Sequence, residues 1–303
     1  MLRAGRMILC SPMAVPGRVY AFLVIGLIAV SQSGNIIRLG DANPVAIATY
    51  RLLIATVLLA PLATGQFEQI KKLSRTDLIL LLLAGISLAG HFFAWIYAVQ
   101  LTTVANAAIF FSINPVITAT AGYLIFREKV TSKLFVSIVL GIAGVACTGI
   151  RDLDLTSTHF AGNMMALVCS IIFSVYFLLG KKLRRTLSNQ IYVTSVYGTA
   201  AVFSFVCMLF MDLPLVDYSP QTWLCFVLMA LIPTMAGHTA LNNSLKYIDA
   251  GRISAATLSE PLLAGLVAWL AWNETVTSFT VIGYVLICAS VIVLVLDMPE
   301  KKI

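Results

Sequence analysis

Ten apolar stretches, each long enough to cross a bilayer as a helix, fill nearly all of this 303-residue chain. One crossing needs about 20 mostly apolar residues. The stretches fall at approximately 19–38, 44–65, 78–100, 103–126, 133–150, 160–180, 190–211, 221–245, 251–272 and 279–297. In hydrocarbon every backbone N–H and C=O must be satisfied within the protein, so apolar runs of this length fold as packed helices. The composition leaves no water-soluble reading: 60% of residues are hydrophobic and 11% charged, against about 25% charged in a soluble domain. The connections are too short for a separate soluble domain. The expected fold class is an all-α polytopic membrane protein with ten transmembrane helices. Arg3, Arg6 and Arg18 before the first run imitate a signal peptide. An uncleaved first span is the preferred reading, because apolar character continues through Ile36 and Ile37.

The charges orient the spans. With the N-terminus in the cytoplasm, the cytoplasmic segments hold seventeen Lys and Arg residues and the outer loops only Arg38 and Arg151. That positive-inside bias puts both termini in the cytoplasm. It also accounts for the net charge of +7 without a nucleic-acid partner. The six cysteines are scattered singly, with neither a disulfide framework nor a metal-ligand spacing. They read as small packing residues. No metal and no cofactor is expected. Gly-Lys-Ser/Thr phosphate loops, His-Glu-x-x-His pairs and Gly-x-Ser-x-Gly elbows are all missing from the sequence.

Two segments 146 residues apart nearly coincide. In each a proline, Pro115 or Pro261, stands thirteen residues before a glutamate, Glu128 or Glu274, that opens a Glu-x-Val-Thr-Ser string. Glu128 falls at the cytoplasmic end of span 4 and Glu274 at the outer end of span 9. Equivalent residues five spans apart therefore end on opposite faces, which makes the halves, 17–152 and 159–297, inverted five-helix repeats. Gly90-His91 and Gly237-His238 extend the similarity with a one-residue slip, and Tyr50 and Tyr197 are a weaker echo.

The five-plus-five plan with Pro-x12-Glu-x-Val-Thr in both halves resembles the EamA family of the drug/metabolite transporter superfamily. So do Pro44 followed by Tyr50-Arg51-Leu52-Leu53, Gly90-His91-Phe92, Gly237-His238-Thr239 with Asn242, and Leu258-Ser259-Glu260-Pro261. The resemblance covers about 280 residues and implies the fold and transport as a class. It does not name a substrate, since members move amino acids, sugars, nucleotide-linked metabolites, S-adenosylmethionine and drugs.

Charged groups inside a bilayer cost about 2.5–3.5 kcal/mol each on insertion scales and mark function. Arg51 lies about 10 Å below the outer boundary and Glu260 about 13 Å above the inner one, at 1.5 Å per residue. Their levels differ by only several Å. Arg51 either binds a substrate carboxylate, forms an ion pair that locks the helices, or snorkels outward. Glu260 holds an ammonium group or a proton, or serves as the other half of that ion pair. His91 and His238 are further proton-coupling or binding candidates, or else neutral residues with satisfied hydrogen bonds at Gly-His bends. Asn114, which matches Glu260 across the repeat, and Asn242 are candidate binding amides, with interhelical bonding as their structural alternative. Trp95 and its aromatic neighbours line a cavity or simply pack. Glu128, Glu274, Pro115 and Pro261 are read as repeat-end structural or gate residues, and Trp223 and Trp272 as interfacial anchors.

The expected function is secondary transport, as an exporter of small metabolites with amino acids or related zwitterions first, by alternating access. It is proton-coupled through Glu260 or a histidine, or works by exchange. The expected partners are a small-molecule substrate and the lipid of a cell membrane, the inner membrane in a bacterium. Two alternatives stand beside it: an intramembrane enzyme acting on a lipid-linked substrate, and a non-transporting scaffold. The oligomeric state is not legible in the sequence.

Overall fold

The computed structural model describes residues 15–150, 157–272, 276–299 and 301–302. Ten helices among them are long and apolar enough to cross a membrane. We number them span 1 (Gly17–Ile37), span 2 (Pro44–Ala63), span 3 (Arg75–Leu101), span 4 (Val104–Phe126), span 5 (Ser132–Gly149), span 6 (His159–Leu183), span 7 (Asn189–Phe210), span 8 (Pro220–Ser244), span 9 (Ala250–Ala271) and span 10 (Ser278–Val295). The protein is a multi-pass membrane protein. Large apolar side chains such as Val57, Leu62, Phe135, Leu270 and Val285 stand exposed around the outside, as a lipid-facing belt requires. Beyond the helices, Val15–Pro16 pairs in parallel with Lys301–Lys302, a two-residue bridge that joins the two ends of the chain.

The helices start where the caps dictate. Asn43 accepts from Val45 N with Pro44 in the first turn, and Ser219 accepts from Thr222 N beside Pro220. Span 3 begins at Arg75, because Ser74 accepts from Asp77 N. His159 lies in the first turn of the helix Ser157–Leu183.

Packing follows the duplication. Span 3 packs on span 6 and span 8 on span 1; span 3 packs on span 7 and span 8 on span 2; span 4 packs on span 6 and span 9 on span 1. Spans 2 and 7, 4 and 9, and 5 and 10 pack as pairs. Exchanging each span for the one five further on returns the same set of contacts, which is what two inverted repeats about one pseudo-twofold axis produce. Spans 5 and 10 meet through facing glycines. A Cβ on Gly144 would lie 2.9 Å from Gly283 O, and one on Gly283 would lie 2.7 Å from Gly144 O. The interface admits no larger residue there.

Both repeats are interrupted before the conserved-spacing proline. Span 4 consists of Val104–Phe111 and Asn114–Phe126. Span 9 consists of Ala250–Ala256, a 3₁₀ turn Thr257–Ser259 and Glu260–Trp272. Proline removes an N–H and crowds the preceding turn, so the helix restarts there with an N-terminus in the protein interior. A third irregularity is the π-helical Ala230–His238 of span 8, which contains Pro233. Its counterpart Gly90-His91 sits in an uninterrupted helix, so a bend accompanies only the second Gly-His pair.

Candidate functional site

The two helix breaks face a cavity of about 440 Å³. Asn114, Pro115, Glu260 and Pro261 form its deep end, with Asn35 of span 1 and Trp95 of span 3. Its lining then runs through Leu258, Ala264 and Trp269 to Arg38, Thr103, Val276 and Thr280. These last four lie at the end of span 1, in the span 3–4 connection and at the start of span 10. The cavity therefore reaches the face that carries those connections. Behind it lies a chamber of about 30 Å³, lined by Arg51, His91, Phe92, Trp95, His238 and Glu260 among others. Trp95, Phe111 and Glu260 border both spaces.

Arg51 is held by the irregular turn of span 8. Pro233 offers no N–H and displaces the carbonyl four residues earlier, that of Met229. The Thr234 hydroxyl donates to Met229 O at 2.7 Å. It accepts in turn from Arg51 Nε at 2.8 Å. The guanidinium carbon lies 3.7 Å from the centroid of the Phe92 ring, a cation–π contact worth about 2 kcal/mol when desolvated. Arg51 is 1% exposed, yet Nη1 and Nη2 have no hydrogen-bond partner. No carboxylate stands within ion-pair distance of it among the described residues. The ion pair with Glu260 weighed from the sequence is not formed, and Arg51 does not snorkel to the surface. A buried charge without a partner costs several kcal/mol, and the two unbonded nitrogens are chemically able to donate to an anion.

The residues around it differ in how far they are satisfied. His91 Nδ1 lies 3.1 Å from Cys169 Sγ, so this cysteine has a polar contact beyond packing. His238 Nδ1 and the Trp95 indole N–H have no partner. The rings of His91 and His238 lie 5.9 Å apart, and both pack on Phe92 and Phe173. Glu260 makes no hydrogen bond or ion pair among the described residues. Asn114 is fully buried, and its Oδ1 accepts from Ser254 at 2.5 Å, Thr118 at 3.0 Å and Ser174 at 3.4 Å. Its Nδ2 is left without a partner.

Asn242 lies on neither space. Its Nδ2 donates to the Tyr176 hydroxyl at 2.5 Å and to His238 O at 2.8 Å, which ties spans 6 and 8. Trp223 packs edge-on against Tyr50 at 5.0 Å and Phe226 at 5.4 Å, in an aromatic cluster as well as near a span end. Glu274 lies outside the described residues, and so does the side chain of Trp272.

The opposite face is shut by an ion network. Arg127 adopts φ 60°, and this left-handed residue ends span 4 and turns Glu128 back toward its own helix. A Cβ on Gly122 would lie 2.5 Å from Glu128 Oε2, so any larger residue there would push the carboxylate from this position. Glu128 Oε1 lies 3.5 Å from Lys181 Nζ and accepts from Ala250 N, the first residue of span 9, at 3.3 Å. Lys181 also lies 3.8 Å from Asp249. Arg252 pairs with Asp249 and, at 2.9 Å, with Asp297. Thr131 donates to Asp297 at 2.6 Å. Residues from the first repeat, Glu128 and Thr131, are thereby linked to the second. Burial pushes the Glu128 carboxyl above its ordinary range, against the opposing pull of Lys181.

Sequence reasoning had no means of finding Thr234, since hydroxyls are common in spans and nothing marks this one. Lys181 and Arg252 entered it only as topology signals, and Asp249 and Asp297 not at all. Their approach from three chain segments is a property of the fold. Trp269 and Tyr284, which line the large cavity, look like any lipid-facing aromatic in the sequence.

Comparison with known proteins agrees with this geometry. The model of the EamA-like transporter family matches twice, over residues 17–150 and 160–296. The chain is similar to an uncharacterized transporter of Clostridium kluyveri, 25% identical over 88% of this chain and 90% of the relative. It is also similar to the uncharacterized transporter YetK of Bacillus subtilis, 25% identical over 82% and 78%. A crystal structure of a protein 16% identical superposes with a TM-score of 0.79, covering 93% of this chain and 98% of that one. That likeness is one of fold.

Proposed function

Because the chain belongs to the EamA-like transporter family, we propose that it is a secondary transporter that exports small metabolites by alternating access, with amino acids and related zwitterions as its first candidates. The observation that carries this reading is the cavity of about 440 Å³ between the paired helix breaks, which reaches one face while an ion network closes the other. Broken helices at matching depth, with their N-termini turned to a central space, suit a substrate site between rocking repeats.

The positive-inside bias assigns the closed face to the cytoplasm and the open one to the exterior of a cell membrane. In this reading Glu128 and Lys181 form the inner gate, and parting them admits cargo from the cytoplasm. By the repeat, Glu274 takes the corresponding part on the outer face. Glu260, without a partner at the junction of the two spaces, is the first choice to carry a proton or a cationic group. His238, whose Nδ1 is unpaired, is the second, and His91, engaged with Cys169, the third.

The test compares metabolites in the medium of cells overexpressing the protein with those of cells lacking it, followed by uptake of the enriched compound in proteoliposomes. Vectorial movement without chemical change is expected. A compound that is modified but not moved would instead mean an enzyme.

A further inference from the structure

The two joined spaces differ in size and in chemistry, and together they describe one kind of cargo. The chamber of about 30 Å³ has room for about two waters, at roughly 10–15 Å³ of this measure each. It therefore takes a group of two or three heavy atoms, not a whole metabolite. Its wall carries a buried guanidinium with two unbonded nitrogens and an indole N–H without a partner. Those are donors set for a planar acceptor, and a carboxylate fits the fork of an arginine. Glu260, at the junction with the large cavity, puts a carboxyl group on the wall of the same chamber. The large cavity beyond has room for an apolar body, with Leu258 and Trp269 in its lining.

A phosphate is too bulky for the chamber, and its second charge would face Glu260. A sugar would leave Arg51 unneutralised, and a simple amine would do the same. A simple carboxylate would leave Glu260 without a cation. One head group carries a partner for each of the two side chains that line this chamber. Resting on the transporter reading, we propose that the small chamber is the head-group subsite for a neutral α-amino acid. Arg51 and the Trp95 indole hold its carboxylate, Glu260 holds its ammonium at the neck, and its apolar side chain lies in the large cavity against Leu258 and Trp269. Binding would satisfy Arg51 Nη1 and Nη2 and the Trp95 N–H in one step.

The experiment measures equilibrium binding of three related probes to the purified protein in nanodiscs: L-leucine, 3-methylbutylamine, which lacks the carboxylate, and 4-methylpentanoate, which lacks the amine. Wild-type protein should bind L-leucine at least tenfold more tightly than either fragment. Arg51→Gln should lose 4-methylpentanoate and reduce L-leucine to the level of the amine, with 3-methylbutylamine within twofold of wild type. Glu260→Gln should do the reverse. Should Arg51→Gln not fold, Arg51→Lys must weaken L-leucine and 4-methylpentanoate by the same factor and spare the amine. Equal binding of all three probes by the wild type, binding of none, or an Arg51 variant that holds 4-methylpentanoate as the wild type does would overturn the assignment. Export of some other metabolite, with no L-leucine bound, would remove this subsite while leaving the transporter reading intact.

Discussion

At the break in span 4, Asn114 is fully buried and its carbonyl oxygen gathers hydroxyls from Thr118, Ser174 and Ser254, on spans 4, 6 and 9. At the equivalent break in span 9, Glu260 opens a helix from the same depth but has no bonded partner among the described residues, and it borders both spaces. The backbone device is the same: a proline one residue on and a helix restarted inside the protein. The side chains have parted. One copy knots three spans together, and the other leaves a carboxyl group on the wall of both spaces. Duplication supplied the geometry twice, and on the proposed reading divergence at one residue separated holding the fold from binding.

The comparison can be broken first by function. Glu260→Gln should weaken transport by about 10- to 100-fold, since a hydrogen bond to a charged group contributes about 1.5–3 kcal/mol and each 1.4 kcal/mol is tenfold. Its melting temperature should barely change. Transport rates in proteoliposomes beside a thermal melt decide this, and a large loss of stability would make Glu260 a structural residue like Asn114. Asn114→Ala should give the opposite pattern. It strands the buried Ser254 hydroxyl and removes one bond each from Thr118 and Ser174, which keep each other and Ser170 O as partners. At about 1–3 kcal/mol for a group left unsatisfied, it should lower the melting temperature more than the affinity for cargo. A variant as stable as wild type would dissolve the contrast from the other side.

Below the breaks, the contrast extends to the two faces. Gly122→Ala places a methyl 2.5 Å from Glu128 Oε2 and so displaces the carboxylate. It should loosen the tie between Glu128 and Lys181 and raise accessibility from the cytoplasmic face several-fold, as measured by labelling in inside-out vesicles. The smallest effect is on pH. The groups facing Glu128 are Lys181, Asp249 and the Ala250 N–H, and burial raises its carboxyl above the ordinary 4.5. A carboxyl that binds its proton more tightly in the closed state than in an open, hydrated one makes protons favour closure. That contribution is complete below the ordinary value and is lost as pH rises through the raised one. Acidification across this window should therefore favour the closed cytoplasmic face, and Glu128→Gln should abolish the dependence. Closure that strengthened with rising pH would reverse the sign.

Much of the scaffold could be read from the sequence because a bilayer leaves few choices. Apolar runs must become helices, and the repeat spacing between Pro115 and Glu128 and between Pro261 and Glu274 marks where two of them break. Arg51, Trp95 and Glu260 also stood out, as costly or bulky groups in a lipid setting, and they meet at one small chamber. The ways in which they are held were not legible. Whether Arg51 meets Glu260 or Thr234 depends on a π-helical turn around Pro233, set by how span 8 packs on spans 1 and 2. Asn242 carries the same polarity as Asn114, yet it faces Tyr176 instead of a cavity, and helix rotation alone makes that difference. Of the charges that shut one face, Lys181 and Arg252 were visible only as a topological tally, because the links that join them to Glu128, Thr131 and Asp297 reach across as many as 166 residues, from Thr131 to Asp297.

The account stands on one cavity whose access alternates between the faces. The direct measurement places a cysteine on its wall by Ala264→Cys, in a cysteine-free background, and labels it with a membrane-impermeant thiol reagent from each side of the membrane. Labelling is expected mainly from the outer side in the otherwise native protein, with a shift toward the cytoplasmic side when Gly122→Ala, which displaces Glu128, and Lys181→Gln together release the closed face. Labelling from the outer side alone in both backgrounds, or equal labelling from both sides throughout, would contradict it.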